Sequence, residues 1–323
     1  MRNPEYAAVM IGASHNPADD TGQKLLGADV TPIAADIGPE GGLGKIREFF
    51  IEGRSYAADR PGRIRTQDVM SDFVRHSMLL AGVETGSLKG VRILQDYVFG
   101  AAGREMMLAF DSAGADLTPL HFAANGDFPL GDPNPIKQNV IRQGLDRLRE
   151  GGFLFASFFD GDGDRIDFYG GDGANLSSSF VYAALLPQIR KRFPGSSLGV
   201  FADLKCNPLA IIEMARAGVT VDVIRNGHSQ IKQSLVEDQT RFGAVEESAH
   251  FYEAFSLVDG QRFCTENTLY VALLAARVWA EQTELLANLF AIQDTTVRER
   301  EWGYKFSTDA QRGEALDAVR GLF

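Results

Sequence analysis

The chain has 323 residues, enough for two or three domains at about 150 residues each. Its 45% hydrophobic fraction is that of an ordinary globular protein and argues against overall disorder. Lysine and arginine total 32 against 43 acids, a net charge of −11 that excludes a broad nucleic-acid footprint. It leaves room for a locally basic site that takes an anionic substrate.

No apolar run approaches the ~20 residues that cross a bilayer. The first residues lack a signal-peptide pattern, because the apolar stretch Ala7–Gly12 is short and breaks into Ser14-His15-Asn16-Pro17. Cys206 and Cys264 have no CxxC spacing, so neither a disulfide scaffold nor a thiolate zinc site is supported. A reducing, cytoplasmic setting without membrane or nucleic-acid partners is the expectation.

An alternating strand and helix rhythm runs along the chain. Gly38–Gly44 is a glycine-rich loop, and residues 53–66 are polar and basic. Val91–Leu94 reads as a strand, followed by a turn through Gly100 and Gly103, a helix, and a strand over Ala115–Leu120. Ile136, Val140, Ile141, Leu145 and Leu148 recur at helical spacing, with Gly151-Gly152 as a stop. Phe153–Phe159 is almost continuously apolar, as a central parallel strand would be. Leu198–Asp203 reads as a buried strand. Asn207 then predicts an N-cap with Pro208 at the first helical position, and Leu209, Ile212 and Ala215 as the packed face. Gly218 ends that helix, and Val219, Val221 and Val223 alternate as the next strand, completing a βαβ unit. The fold class is α/β, with tandem domains of mixed, mostly parallel sheets around a central cleft. No fixed-period repeat occurs, so any internal duplication is structural only.

Four polar segments stand out against this apolar pattern. Ser14 follows the opening apolar strand, where α/β sheets place ligands if that strand is parallel, and Gly22 and Lys24 lie downstream. A serine hydroxyl needs help to act as a nucleophile, and an ordinary polar turn reads equally well. Asp160-Gly161-Asp162-Gly163-Asp164-Arg165 offers three alternating carboxylates that can converge on one hard cation. Arg165 and Gly171 stand where an EF-hand needs glycine and glutamate, so Mg²⁺ is the better fit. Val245-Glu246-Glu247-Ser248-Ala249-His250 suits sugar hydroxyls, and a cap or salt-bridged turn suits it as well. Asp203-Leu204-Lys205 and Gly227-His228-Ser229 flank the βαβ unit. His15, His228 and His250 all fall in these segments, whereas His76 and His121 do not.

The order and content of these segments resemble the α-D-phosphohexomutases, the family of phosphoglucomutase, phosphomannomutase and phosphoglucosamine mutase. The resemblance runs over nearly the whole chain. It includes Asp96 with Gly100 and Gly103, Gly126-Asp127-Phe128-Pro129, and Pro133-Asn134-Pro135. Val245 and Ala249 replace glycines common in the family's sugar loop.

The resemblance implies phosphate transfer between C1 and C6 of a hexose phosphate through a bisphosphorylated intermediate. Ser14 would carry the phosphoryl group. Asp160, Asp162 and Asp164 would hold Mg²⁺ together with a phosphoserine oxygen. His15, Lys24 and Arg165 would complement the charge. Glu246 and Ser248 would grip sugar hydroxyls, while Lys205, His228 and His250 would orient substrate or move a proton. A glucose 1,6-bisphosphate-type sugar is the implied activator, and a homodimer is an open expectation.

Only 13 residues precede Ser14, fewer than in the family. Thr295–Phe306 and Asp309–Phe323 resemble the opening strand and helix of the family's fourth domain, and no Arg-x-Ser-Gly-Thr loop follows. The expected domains are therefore 1–85, 86–190, 191–293 and 294–323, the first and last incomplete, with weak or no turnover by this chain alone. Two alternatives stay open: a Mg²⁺-dependent phosphatase or phosphotransferase using Asp160 as nucleophile, and a non-catalytic sugar-phosphate-binding module.

Overall fold

The computed structural model describes residues 7–27, 31–55, 57, 62–194, 198–256, 262–297 and 304–322. Three sheets organise them. The first is antiparallel and small, joining β1 (Ala8–Ile11), β2 (Gln23–Leu26) and β3 (Pro32–Ile33). The serine segment therefore follows a strand whose partner is antiparallel, not the parallel strand that the sequence suggested. Val9, Met10 and Ile11 on β1 are exposed.

The second sheet contains β4 (Arg92–Asp96), β5 (Asp116–Leu120), β6 (Phe155–Phe159), β7 (Ile166–Gly170) and β8 (Asn175–Leu176) in the order β5-β4-β6-β7-β8. The third contains β9 (Gly199–Asp203), β10 (Thr220–Ile224), β11 (Arg241–Glu246), β12 (His250–Ser256) and β13 (Arg262–Glu266) in the order β10-β9-β11-β12-β13. The two orders are the same topology used twice, a duplication of structure without a sequence repeat. In each, a parallel βαβ half is continued by an antiparallel meander. Parallel pairing thus accounts for half of each large sheet and does not predominate. Phe155–Phe159 is central as expected, but its neighbours are β4 in parallel and β7 in antiparallel.

Helices cover both faces of the large sheets. In the second sheet, α4 (Gln138–Arg149) packs Val140, Ile141, Leu145 and Leu148 against Leu94, Ala156 and Phe158. The opposite face meets α3 (Gly103–Ala113) and α8 (Thr268–Glu281), with Phe155 stacked on Trp279. Phe155 and Phe159 face one layer and Ala156 and Phe158 the other, the period-two alternation of a strand buried on both sides. In the third sheet, α7 (His228–Glu237) packs Ile231 and Leu235 on Phe201 and Tyr252. The largely apolar α5 (Ser178–Arg190) packs against β11 and α6 (Pro208–Arg216). Helix α2 (Met70–Ala81), which packs on α8, lacks any signal used in the sequence reading, as does α1 (Leu43–Ile51).

The start of α6 is as predicted: Asn207 caps it, accepting from the Leu209 amide at 2.9 Å, and Pro208 occupies the first turn. Its packed face differs. Leu209 packs partly buried against the core as expected, but Ala210 and Met214 are the buried positions, whereas Ile212 is 48% exposed and Ala215 is exposed as well. Both stripes are apolar at helical spacing, and the packing of α6 on α5 and β10 selects between them. The predicted strand Thr295–Phe306 is not formed at 295–297 or 304–306, and residues 298–303 lie outside the described residues. The following helix, α9 (Asp309–Arg320), is present and capped by Thr308. No described helix is long and apolar enough to cross a membrane.

Candidate active site

The serine segment is a loop between β1 and β2, closed by Gly12 N donating to Gly22 O at 3.1 Å. Within it, Asn16 Nδ2 donates to Asp20 Oδ2 at 2.9 Å. Ser14 sits at φ 55°, a left-handed conformation that non-glycine residues seldom adopt and that clusters at functional sites. Its hydroxyl lies 3.1 Å from His15 Nδ1.

The acidic segment follows β6 as read from the sequence. Asp160 is fully buried, and its Oδ1 accepts from the amides of Gly163 at 3.1 Å and Arg165 at 3.2 Å. Gly161 donates to Pro133 O and accepts from Ala101 N, which fixes the turn. A Cβ at Gly161 would overlap the carbonyl oxygen of Ser14. The two segments, far apart in sequence, are therefore in backbone contact, and only glycine permits it.

Lys24 strengthens this junction by donating to Asp162 Oδ2 at 2.7 Å and Asp164 Oδ2 at 2.6 Å. Burial opposes its charge, but Asp164 and Asp162 outweigh that and raise its pKa above the usual lysine range. It is thus held by carboxylates, where the sequence reading aimed it at phosphate. Three other oxygens, Asp160 Oδ2, Asp162 Oδ1 and Asp164 Oδ1, are buried without a hydrogen-bond partner. One oxygen of each residue lies within 4.8 Å of those of the others. Burial, then repulsion from Asp164 and Asp162, pushes the Asp160 carboxyl well above the ordinary aspartate range. Hard oxygen donors converging without partners fit a magnesium-class cation, which would remove both the repulsion and the unsatisfied lone pairs.

The sugar-loop residues enclose the other side. Glu246 ends β11 and His250 begins β12, so the segment is a hairpin turn with Ala249 at φ 74°. The turn reaches the start of β7, just after the acidic segment, through Ile166 N donating to Ala249 O at 3.0 Å. An open pocket of about 520 Å³ is lined by His15, Asn134, Lys137, Arg165, Lys205 and Asn226, and also by Gly227, His228, Glu246, Ser248 and His250. Of the site residues inferred from sequence, His15, Arg165, Lys205, His228, Glu246, Ser248 and His250 line this pocket, whereas Ser14, Lys24, Asp160, Asp162 and Asp164 do not.

The pocket residues differ in freedom. Glu246 is buried, accepting from Gly227 N at 3.1 Å and from the Tyr252 hydroxyl, so internal bonds occupy both its oxygens. Arg165 Nε lies 3.7 Å from Asp160 Oδ2, and Lys205 Nζ lies 3.8 Å from Asp203 Oδ2. His228 is the first residue of α7 and does not lie in a loop. Burial, then Lys232 and Lys24, lowers its pKa to about 4. His250 is driven well below the usual histidine range by burial, then by Arg165 and His228. His15 is lowered by burial, then by Arg165. All three imidazoles are therefore neutral at pH 7.

Four participants escaped the sequence reading. Lys137 and Asn226 line the pocket, and Lys232 pairs with Glu266 at 2.6 Å behind His250. None sits in a recognisable motif; Lys137 follows the Pro133-Asn134-Pro135 landmark closely enough to have been a signal.

A model of the α/β/α domain II of phosphoglucomutase/phosphomannomutase matches residues 72–173, which include the acidic loop. A protein named for phosphohexose mutases from Xanthomonas campestris pv. campestris is 26% identical over 251 residues, covering 78% of this chain and 54% of that protein. A phosphomannomutase from Escherichia coli is 25% identical over 286 residues, covering 83% of this chain and 61% of that one. Residues 72–173 thus match a phosphoglucomutase/phosphomannomutase domain, and the chain as a whole is similar to phosphohexose mutases. It spans just over half the length of these curated relatives. A phosphoglucomutase/phosphomannomutase family protein from Burkholderia thailandensis has the same fold, with a TM-score of 0.73 at 21% identity over 88% of this chain and 58% of that one. The parafusin phosphoglucomutase of Paramecium is similar, with a TM-score of 0.64 at 17% identity over 88% and 56%. Structural likeness at this identity speaks to the phosphohexomutase fold alone.

Proposed function

We propose that this chain carries the phosphoserine and cation half of a phosphohexomutase, a phosphotransferase-type isomerase that moves phosphate between C1 and C6 of a hexose phosphate. The observation that supports this reading is the backbone contact between Ser14 and Gly161, which brings the serine segment against the loop that holds three carboxylate oxygens without hydrogen-bond partners. The division into spans 1–85, 86–190, 191–293 and 294–323 belongs to the same proposal.

In the proposed cycle Ser14 Oγ carries the phosphoryl group, hands it to a sugar hydroxyl, and recovers a phosphoryl from the bisphosphorylated sugar after that sugar turns over in the pocket. Asp160, Asp162 and Asp164 would hold Mg²⁺, which when bound neutralises charge on the transferring group. Arg165 and His15, both lining the pocket, face the same charge. Lys24 keeps Asp162 and Asp164 in place from behind. Lys205 and Lys137 supply cationic side chains for the sugar phosphate, and Ser248 supplies a hydroxyl. The role of Glu246 is to fix Gly227, and through it the start of α7, more than to hold sugar.

Asp160 is a poor nucleophile in this geometry, because two backbone amides hold one of its oxygens and the residue is fully buried. Incubation with glucose 1,6-bisphosphate and Mg²⁺, followed by phosphopeptide mass spectrometry, tests the reading. Acid-stable phosphate on Ser14 is the expected result, and none should appear in Ser14→Ala. An acid-labile phosphate on Asp160 would establish the phosphatase-type alternative. Sugar-phosphate binding without any transfer would leave a binding module.

A further inference from the structure

Glu266 ends β13, immediately before the N-cap of α8, and its side chain is 5% exposed. One oxygen accepts from Lys232 Nζ at 2.6 Å. The other, Oε1, is buried without a hydrogen-bond partner and lies 3.7 Å from His250 Nδ1. His250 Nδ1 is likewise buried and unpartnered, and stands 3.9 Å from Asp164 Oδ1.

We propose that Glu266 is a positioning residue that holds His250 as its Nδ1–H tautomer, leaving Nε2 with a lone pair for a hydroxyl of the pocket's ligand. The inference rests on the sugar-phosphate reading of the pocket, which His250 lines. A neutral imidazole has one N–H and one lone pair, and a carboxylate oxygen only accepts. With two carboxylate oxygens facing Nδ1, a lone pair there would meet negative charge on both sides, whereas an N–H satisfies one of them. Asp164 Oδ1 is also one of the three oxygens that fit the cation, so with a cation bound Glu266 is the acceptor left for the ring. Lys232 pins the far oxygen of Glu266, which directs Oε1 at the imidazole. Second-sphere carboxylates fix histidine tautomers in this way at metal sites and in catalytic dyads.

One ligand atom from each of Asp164, His250 and Glu266 also lies within 4.8 Å of the other two, close enough for a second divalent cation. Local charge argues against it. Asp160, Asp162, Asp164 and Glu266 already face Lys24, Arg165 and Lys232, so a single dication more than balances the cluster.

Histidine ¹⁵N labelling and long-range proton–nitrogen correlation spectra at pH 7.5 with Mg²⁺ test the proposal, His250 being assigned from the spectrum of His250→Gln. The wild type should show His250 protonated at Nδ1. In Glu266→Gln, Lys232 retains the amide oxygen and turns the amide NH₂ towards the ring, so the tautomer ratio should invert to Nε2–H. Unchanged His76 and His121 signals report that the fold is intact. An Nε2–H ring in the wild type, or the same tautomer in both proteins, overturns the proposal. So does a Zn²⁺-induced shift of His250 Nδ1 at saturating Mg²⁺, which would assign the trio to a second cation. Should Glu266→Gln fail to fold, the wild-type tautomer alone decides. None of these signals requires phosphate transfer, so the tautomer stands or falls separately from phosphate on Ser14.

Discussion

Lys24 Nζ lies 2.7 Å from Asp162 Oδ2, joining the small first sheet to a loop 138 residues further along the chain. With the Ser14–Gly161 backbone contact, it makes the serine loop and the acidic loop one structural unit. The chemistry proposed for the chain depends on that unit and on the framework that holds it.

Gly161→Ala places a methyl against the Ser14 carbonyl and the Pro133 ring. Backbone on one side and a rigid ring on the other leave little room to yield. Moving a reacting group by about 1 Å costs on the order of 100-fold, so phosphate uptake on Ser14 should slow by about that factor. Circular dichroism should remain that of the wild type. Uptake at the wild-type rate would show that the contact does not position the serine.

Asp160 governs a stability profile whose sign follows from its raised pKa. Without metal, the folded chain keeps a proton that the unfolded chain releases above about pH 3.8, so stability falls as pH rises from there towards the raised value. Asp160→Asn removes that slope and should melt at a higher temperature than the wild type in EDTA at pH 7.5. Magnesium reverses the order, because a cation at 100 times its Kd adds about 2.7 kcal/mol to the protein that binds it. Calorimetry in EDTA and in Mg²⁺ measures both effects. An equal gain from Mg²⁺ in the two proteins would remove Asp160 from the ligand set.

His228 works in the opposite sense. Burial, then Lys232 and Lys24, holds its pKa near 4 instead of 6.5. The unfolded chain takes up a proton as pH falls through 6.5 and the folded chain does not, so its contribution to stability is present above 6.5 and lost on the way down to about 4. A proton NMR titration should find His228 still neutral at pH 5. A midpoint near the ordinary histidine value would mean that the pocket is far wetter than its geometry implies.

Helix α6 offers a test of the framework. Met214→Ala empties a fully buried position and should cost about 2–5 kcal/mol in urea unfolding. Ile212→Ala, on the exposed side, should stay within about 0.5 kcal/mol. Asn207→Ala removes the cap and the bond from Asn207 Nδ2 to Thr296 Oγ1, for a loss of about 1 kcal/mol. Equal costs at Met214 and Ile212 would restore the packed face that the spacing suggested.

Much of this was legible without coordinates because it is local. Asn207-Pro208 starts a helix through one side chain and one fixed φ, and the apolar run before Asp160 makes a buried strand wherever it is placed. Alternate aspartates separated by glycines announce a candidate cation loop because the spacing itself supplies the turn and the charge. The face of α6 is not legible in this way, because two apolar stripes compete on that helix. The direction of pairing beside β6 was incompletely read because an apolar strand accepts either kind of neighbour.

From the order of its residues alone this chain settled its strand and helix alternation, its acidic loop and the family motifs, since each depends on neighbours a few positions apart. Tertiary structure alone decided that Ser14 rests on Gly161, that Lys24 serves carboxylates, and that Glu266 stands behind His250. Those relationships join positions separated by tens to hundreds of residues. Such distances close only when whole sheets pack, and no local propensity encodes which polar groups then come face to face.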